Sequence, residues 1–139
     1  MITVTGENLL IGLICGAASP PPDLYLALLT LPATPYSSGW DIAEPTVAEY
    51  KRIKIQNSPG SWIISEGEMV NAQAIDLPFA YSLEPWPILV GWGLLDAETG
   101  GSLFWAGGWT PVQPTAQDYL SIPKGALAIR AAAAGGWSG

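Results

Sequence analysis

A chain of 139 residues with one cysteine has room for a single domain and excludes an intrachain disulfide. Its apolar share of 49% against a charged share of 12% is more hydrophobic side chain than so small an interior takes up, so the surplus points to contacts with other subunits. The net charge of −7, with only five basic residues, excludes a nucleic-acid-binding surface, which needs a basic face.

The first apolar run, residues 9–18 (LLIGLICGAA), has the length of a signal-peptide core. It lacks the basic leader of one, and Glu7 stands where positive charge belongs. A lipoprotein signal is also a poor fit, since Ile14 and Gly12 occupy the positions before Cys15. The run is too short to cross a bilayer and ends at Pro20, Pro21 and Pro22, so no membrane partner is expected. It reads instead as a helix of about three turns in the mature chain, with Thr5 as N-cap and Glu7 in the first turn. Leu9, Leu10, Leu13 and Ile14 recur at helical spacing, and Gly16 stands where a helix-terminating glycine belongs. That apolar stripe needs a cover, either the domain's own sheet or a neighbouring subunit. Cys15 is expected as a small buried apolar residue.

From Asp23 onward the pattern changes to short strands. Residues 24–31 (LYLALLTL) form an apolar run between prolines, as a buried strand does. A loop carrying Tyr36, Trp40 and Ser37-Ser38-Gly39 follows. Residues 50–55 (YKRIKI) alternate, which places Lys51, Arg52 and Lys54 on an exposed strand face. Residues 62–64 extend that ladder after an Asn57-Ser58-Pro59-Gly60 turn, and residues 69–77 make a less regular strand. Residues 88–96 (ILVGWGLLD) and 102–106 (SLFWA) form the clearest hairpin, with two glycines in its connection for positive φ. Residues 119–122 and 126–132 pair around Pro123-Lys124-Gly125. Seven or eight short strands, with 16 Gly and 13 Pro between them, point to an all-β domain, a β-sandwich or jelly roll behind a short N-terminal helix. The divisions are residues 1–22 as helix or arm, 23–130 as the sandwich and 131–139 as a tail.

Chemistry is scarce. The chain has no histidine, which removes the Ser-His-Asp and Cys-His arrangements and the commonest zinc ligand. No phosphate-binding glycine loop occurs, and the glycines of Gly91-Trp92-Gly93 are expected to permit close backbone approach. Two acid pairs remain, Asp96 with Glu98 and Glu66 with Glu68, and each brackets a turn, where carboxylates bond local backbone or stay solvated. The expectation is a protein with no catalytic residue, no cofactor and no metal.

Tryptophan is the unusual enrichment, with seven in the chain. Trp92 and Trp105 lie within strands and are expected in the core. Trp40, Trp86, Trp109 and Trp137 stand near Pro and Gly in loops or the tail, where exposure to a partner is expected. With Leu9 and Leu13 of the helix they are the interface candidates, and docking to protein is favoured over a glycan platform. In the 131–139 tail, Trp137 is the expected anchor to a neighbour.

The order of segments resembles a small phage structural family, often labelled tail-fibre or minor structural proteins. The resemblance is carried by ENLLIGLICG, LYLALLT with a proline-bearing loop, Glu44-Pro45 with YKRIKI, Asn71 leading to AIDLPFA, VGWGLLDAETGGSLFWAG and the closing IPKGALAIR. DAETGG, with Asp96, Gly100 and Gly101, and KGALAI are its most specific parts. The tryptophan load and proline-rich loops depart from it. The resemblance implies a virion component with no catalytic residues. Repetitive or heptad shaft sequence is absent, so a capsid decoration (cement) protein is expected first. It would be a homotrimer bridging capsomers of the major capsid protein, with a fibre- or baseplate-associated domain as the alternative and a glycan-binding host-adsorption module as the alternative of another class.

Overall fold

The computed structural model describes residues 1–77, 85–115 and 121–130, and its architecture is mostly β with one helix. Helix α1 (Val4–Cys15) precedes β1 (Asp23–Leu29), β2 (Ile53–Gln56), β3 (Trp62–Ser65), β4 (Glu68–Asn71) and β5 (Ile75–Asp76). Then come β6 (Leu89–Leu95), β7 (Leu103–Val112), β8 (Ser121–Ile122) and β9 (Ala128–Arg130). All described pairings are antiparallel and form sheets ordered β2-β1-β6-β7, β3-β4-β9 and β5-β8.

The four-stranded sheet is the organising layer, because β1 and β6 are apolar on both faces and sit at its centre. On one face Leu24, Leu26, Trp92, Leu94 and Trp105 pack with Trp62, Ile75, Ile122, Leu127 and Ile129 of the smaller sheets and their connections. On the other face Ala27, Leu95, Leu103 and Ala106 are covered by Ala33 and Ile42 of the loop after β1. The all-β expectation with a short N-terminal helix therefore holds.

The β6–β7 hairpin is present, and it runs further than read, to Val112. Its glycines do what the sequence asked of them. Trp92 faces Gly107 across the ladder, where any Cβ would enter the indole, and a Cβ on Gly91 would overlap the Gly107 carbonyl. Near the hairpin's turn, Leu95 pairs with Leu103 while Leu94 pairs with Trp105. The extra residue, Phe104, makes a bulge, and its carbonyl accepts from the Thr3 N–H at 2.9 Å.

That bulge positions the helix. Thr3, rather than Thr5, is the N-cap: its Oγ1 accepts from the Gly6 N–H at 3.0 Å and donates back to Leu103 and Phe104 carbonyls. Gly6 is buried where the helix meets the sheet, and a Cβ there would collide with the Phe104 carbonyl. Gly16 ends the helix in the left-handed region, at φ 79°, as expected. Leu9, Leu10 and Leu13 are half-buried, whereas Ile14 stands 88% exposed and does not join their stripe. Cys15 is exposed too, not buried.

Two expected pairings are replaced. Residues 62–64 do not extend the ladder of β2 but found the second sheet with β4. β8 and β9 do not pair with each other: β8 joins β5 and β9 joins β4. Asn71 explains the second change. Its side chain donates to the Pro123 carbonyl at 3.0 Å and accepts from the Leu127 N–H at 2.9 Å, which fastens the 123–127 turn beside β4.

Candidate functional site

The densest polar constellation among the described residues lies where the loop after β1 meets the β6–β7 turn. Arg52, just before β2, is buried, with its side chain 3% exposed, in contrast to the exposed position expected for it. Lys51 and Lys54 are exposed as read. An isolated buried guanidinium is costly, so every donor direction needs an acceptor. Nη1 donates to the carbonyls of Ala97 and Gly100 at 2.8 and 2.7 Å. Nη2 donates to the Gly39 carbonyl at 3.0 Å and to Glu44 Oε1 at 2.7 Å, and Nε reaches both Glu44 oxygens.

Glu44 is held from its other side by the Tyr50 hydroxyl, which donates to Oε2 and accepts from the Leu28 N–H at 3.2 Å. Burial, with the Glu44 carboxylate second, pushes the Tyr50 phenol well above its ordinary range, so the ring keeps its proton. Glu44, Tyr50 and Arg52 thus saturate one another. Their chemistry is that of a clamp: the Glu44 carboxylate is pinned by the guanidinium on one side and the phenol on the other.

The clamp organises two loops. Gly100 and Gly101 take positive φ of 61° and 79°, as the turn's two glycines were expected to. Asp96 Oδ1 accepts from the Ser102 N–H at 2.8 Å, a local backbone bond of the kind expected for a turn acid. The Gly39 N–H donates to the Gly101 carbonyl at 3.0 Å, and the indole of Trp40 lies against Gly100. In the other acid pair, Glu66 occupies the β3–β4 turn with positive φ, and Glu68 pairs with Arg130 at 2.8 Å. No group of three potential metal-ligating acids or cysteines is assembled among the described residues.

The interface candidates divide. Trp40 is 81% exposed. Trp86, expected in an exposed loop, is 1% exposed, packed with Leu28, Val47 and Leu89 and set edge-on to Tyr50. The apolar surroundings of β1 and β6 draw it inward although its own segment is irregular. Trp109 is half-buried and its Nε1 donates to the Leu89 carbonyl at 3.3 Å. Leu9 and Leu13 line an apolar groove of about 380 Å³ with Leu24, Met69, Trp105 and Ile129. Trp137 and the rest of 131–139 lie outside the described residues. Trp92 and Trp105 are core residues as read.

Sequence reasoning missed the clamp. Arg52 and Glu44 belong to one piece of the family resemblance, Glu44-Pro45 with YKRIKI, but strand alternation alone assigned Arg52 to the wet face. The available signal was local: a lone Arg between lysines, a Glu-Pro ahead of it and a carbonyl-rich glycine turn to receive a fork of donors.

No helix among the described residues is long and apolar enough to cross a membrane. No curated protein matches the chain. A family model described as Podophage GP4 fiber I protein gp80 matches residues 1–130, which include the helix, every described strand and the whole clamp. The chain therefore belongs to this phage fibre protein family and is a bacteriophage structural protein of the virion.

Proposed function

We propose that the chain is a non-enzymatic subunit of a phage fibre, a compact β-rich body that associates with copies of itself, as a trimer, and with other virion proteins. The observation that carries this reading is the outer side of α1. Ile11 and Ile14 are 64% and 88% exposed on a helix whose opposite side packs on β7. From Leu9 to Cys15 the helix is apolar on both sides, and a single copy leaves Ile11 and Ile14 in water. The match to a fibre family supports the fibre over the head. Decoration of the head through the major capsid protein, the placement expected first from sequence, is the weaker reading because only composition and the general resemblance favour it.

The test is the assembly state of the purified chain and of an Ile11→Glu, Ile14→Glu double variant, by light scattering during size exclusion. The wild type is expected as a trimer and the variant as a folded monomer. A wild-type chain that stays monomeric at concentrations far above micromolar contradicts the reading.

A further inference from the structure

The groove beside α1 is lined by Leu9 and Leu13 of the helix, Ile64 and Met69 of β3 and β4, and Ile129 of β9. Ile64 is 80% exposed, so part of this apolar wall stands in water. The polar side chains of the lining are already bonded to one another or to their surroundings. Glu68 pairs with Arg130 at 2.8 Å. Asn57 donates to the Pro21 carbonyl at 2.7 Å and accepts from the Trp62 indole N–H at 3.1 Å. The surface left to bind with is apolar, which selects an uncharged, hydrophobic occupant over a charged or strongly polar one.

The chain itself supplies such an occupant at the edge of the groove. Ile129 and Arg130 belong to the lining, and the Trp105 indole N–H, also in the lining, donates to the Arg130 carbonyl at 3.1 Å. Strand β9 therefore hands on the next residues from the groove itself. Those nine residues, AAAAGGWSG at 131–139, carry no charged side chain and one large apolar one, Trp137. Seven residues beyond Arg130, Trp137 has a reach of roughly 23 Å, ample for a groove of about 380 Å³. Gly135-Gly136 allows the chain to reverse just ahead of it.

We propose that this groove is the docking site of the chain's own 131–139 segment, with the Trp137 indole seated between Leu13 of α1 and Met69 of β4. An indole buries about 150–250 Å², the largest apolar cover that one side chain supplies. The tether favours the same chain over a neighbour's: a segment joined by a few residues is present at an effective concentration on the order of millimolar, which a free copy does not match. The docking rests on neither the fibre assignment nor self-association, since Ile11 and Ile14 are not part of the lining.

The test is NMR of the full chain with labelled Leu, Ile and Met methyl groups. Nuclear Overhauser contacts from the Trp137 ring to the methyl groups of Leu13 and Met69 are expected, unchanged on dilution. Trp137→Ala is expected to abolish them and shift those methyl signals, while the signals of buried Leu26 and Leu28 stay in place and report an intact fold. The same variant is expected to be cut by elastase within 131–134 faster than wild type, by on the order of tenfold, as read by mass spectrometry. Absence of the contacts overturns the proposal, as does cleavage at the wild-type rate. Contacts that run between chains, in an isotope-filtered experiment on mixed labelled and unlabelled protein, place the segment in a neighbour's groove and overturn it too.

Discussion

Arg52 donates to the carbonyl of Gly100 at 2.7 Å, joining the approach to β2 to a hairpin turn 48 residues later in the chain. The same guanidinium holds Gly39, Ala97 and Glu44, so one side chain fixes the relative positions of three separate segments. Replacing it with Met leaves Glu44 and three carbonyls to find water in a closed site. Urea unfolding of Arg52→Met is expected to show a loss of roughly 3–5 kcal/mol. Arg52→Lys keeps the charge but not the planar fork, and is expected to recover only part of that loss.

Tyr50 gives the clamp a pH limit. Its phenol is held protonated in the folded state by burial and by the Glu44 carboxylate, so its folded pKa lies above its unfolded value. The neutral phenol therefore contributes stability that is complete below the unfolded pKa and is lost as pH rises beyond it, from about pH 10 upward. Tyr50→Phe is expected to be less stable than wild type at neutral pH, because it removes one of the donors to Glu44 and the acceptor of the Leu28 N–H. The gap between the two proteins should narrow as pH climbs through that range. Chemical denaturation across an alkaline series measures it, and parallel pH profiles contradict it.

Gly6 sets how closely α1 approaches the sheet. A methyl group there meets the Phe104 carbonyl, which already receives the Thr3 N–H and hydroxyl. Gly6→Ala improves helix propensity, yet overpacking is expected to win, with a net loss of about 1–3 kcal/mol. Thermal unfolding decides the sign.

Trp86 is a core residue, and its substitution separates packing from assembly. Trp86→Ala removes a ring enclosed by Leu28, Val47, Leu89 and Tyr50 and is expected to cost about 3–5 kcal/mol. Measured by denaturant unfolding, a cost under 1 kcal/mol contradicts the burial described for it.

The parts of the fold legible in the sequence were those with a local cause. Gly100 and Gly101 announced a turn because only such residues take positive φ cheaply, and Gly16 announced a helix end for the same reason. Trp92 and Trp105 could be assigned inward because they sit within apolar strands. What was not legible depends on residues far apart in the chain. The partner of β9 is chosen by Asn71 reaching across to Pro123 and Leu127. Arg52 is buried because Gly39, Glu44, Ala97 and Gly100 converge on it, and no window along the sequence contains all of them. Trp86 is drawn inward by neighbours from β1 and β6, which its own Pro-flanked segment does not reveal. For the candidate surface, the exposed Trp40 was foreseen, but the clamp that steadies it was not.

The central claim is that this chain is a fibre component. Cryo-microscopy of the intact particle tests it most directly, by fitting the β-rich body into the density of the virion. The account predicts density at the tail fibres, in a low copy number set by the fibres, with the α1 faces turned toward one another. Density distributed over the head lattice, at a copy number matching the capsomers, would contradict it.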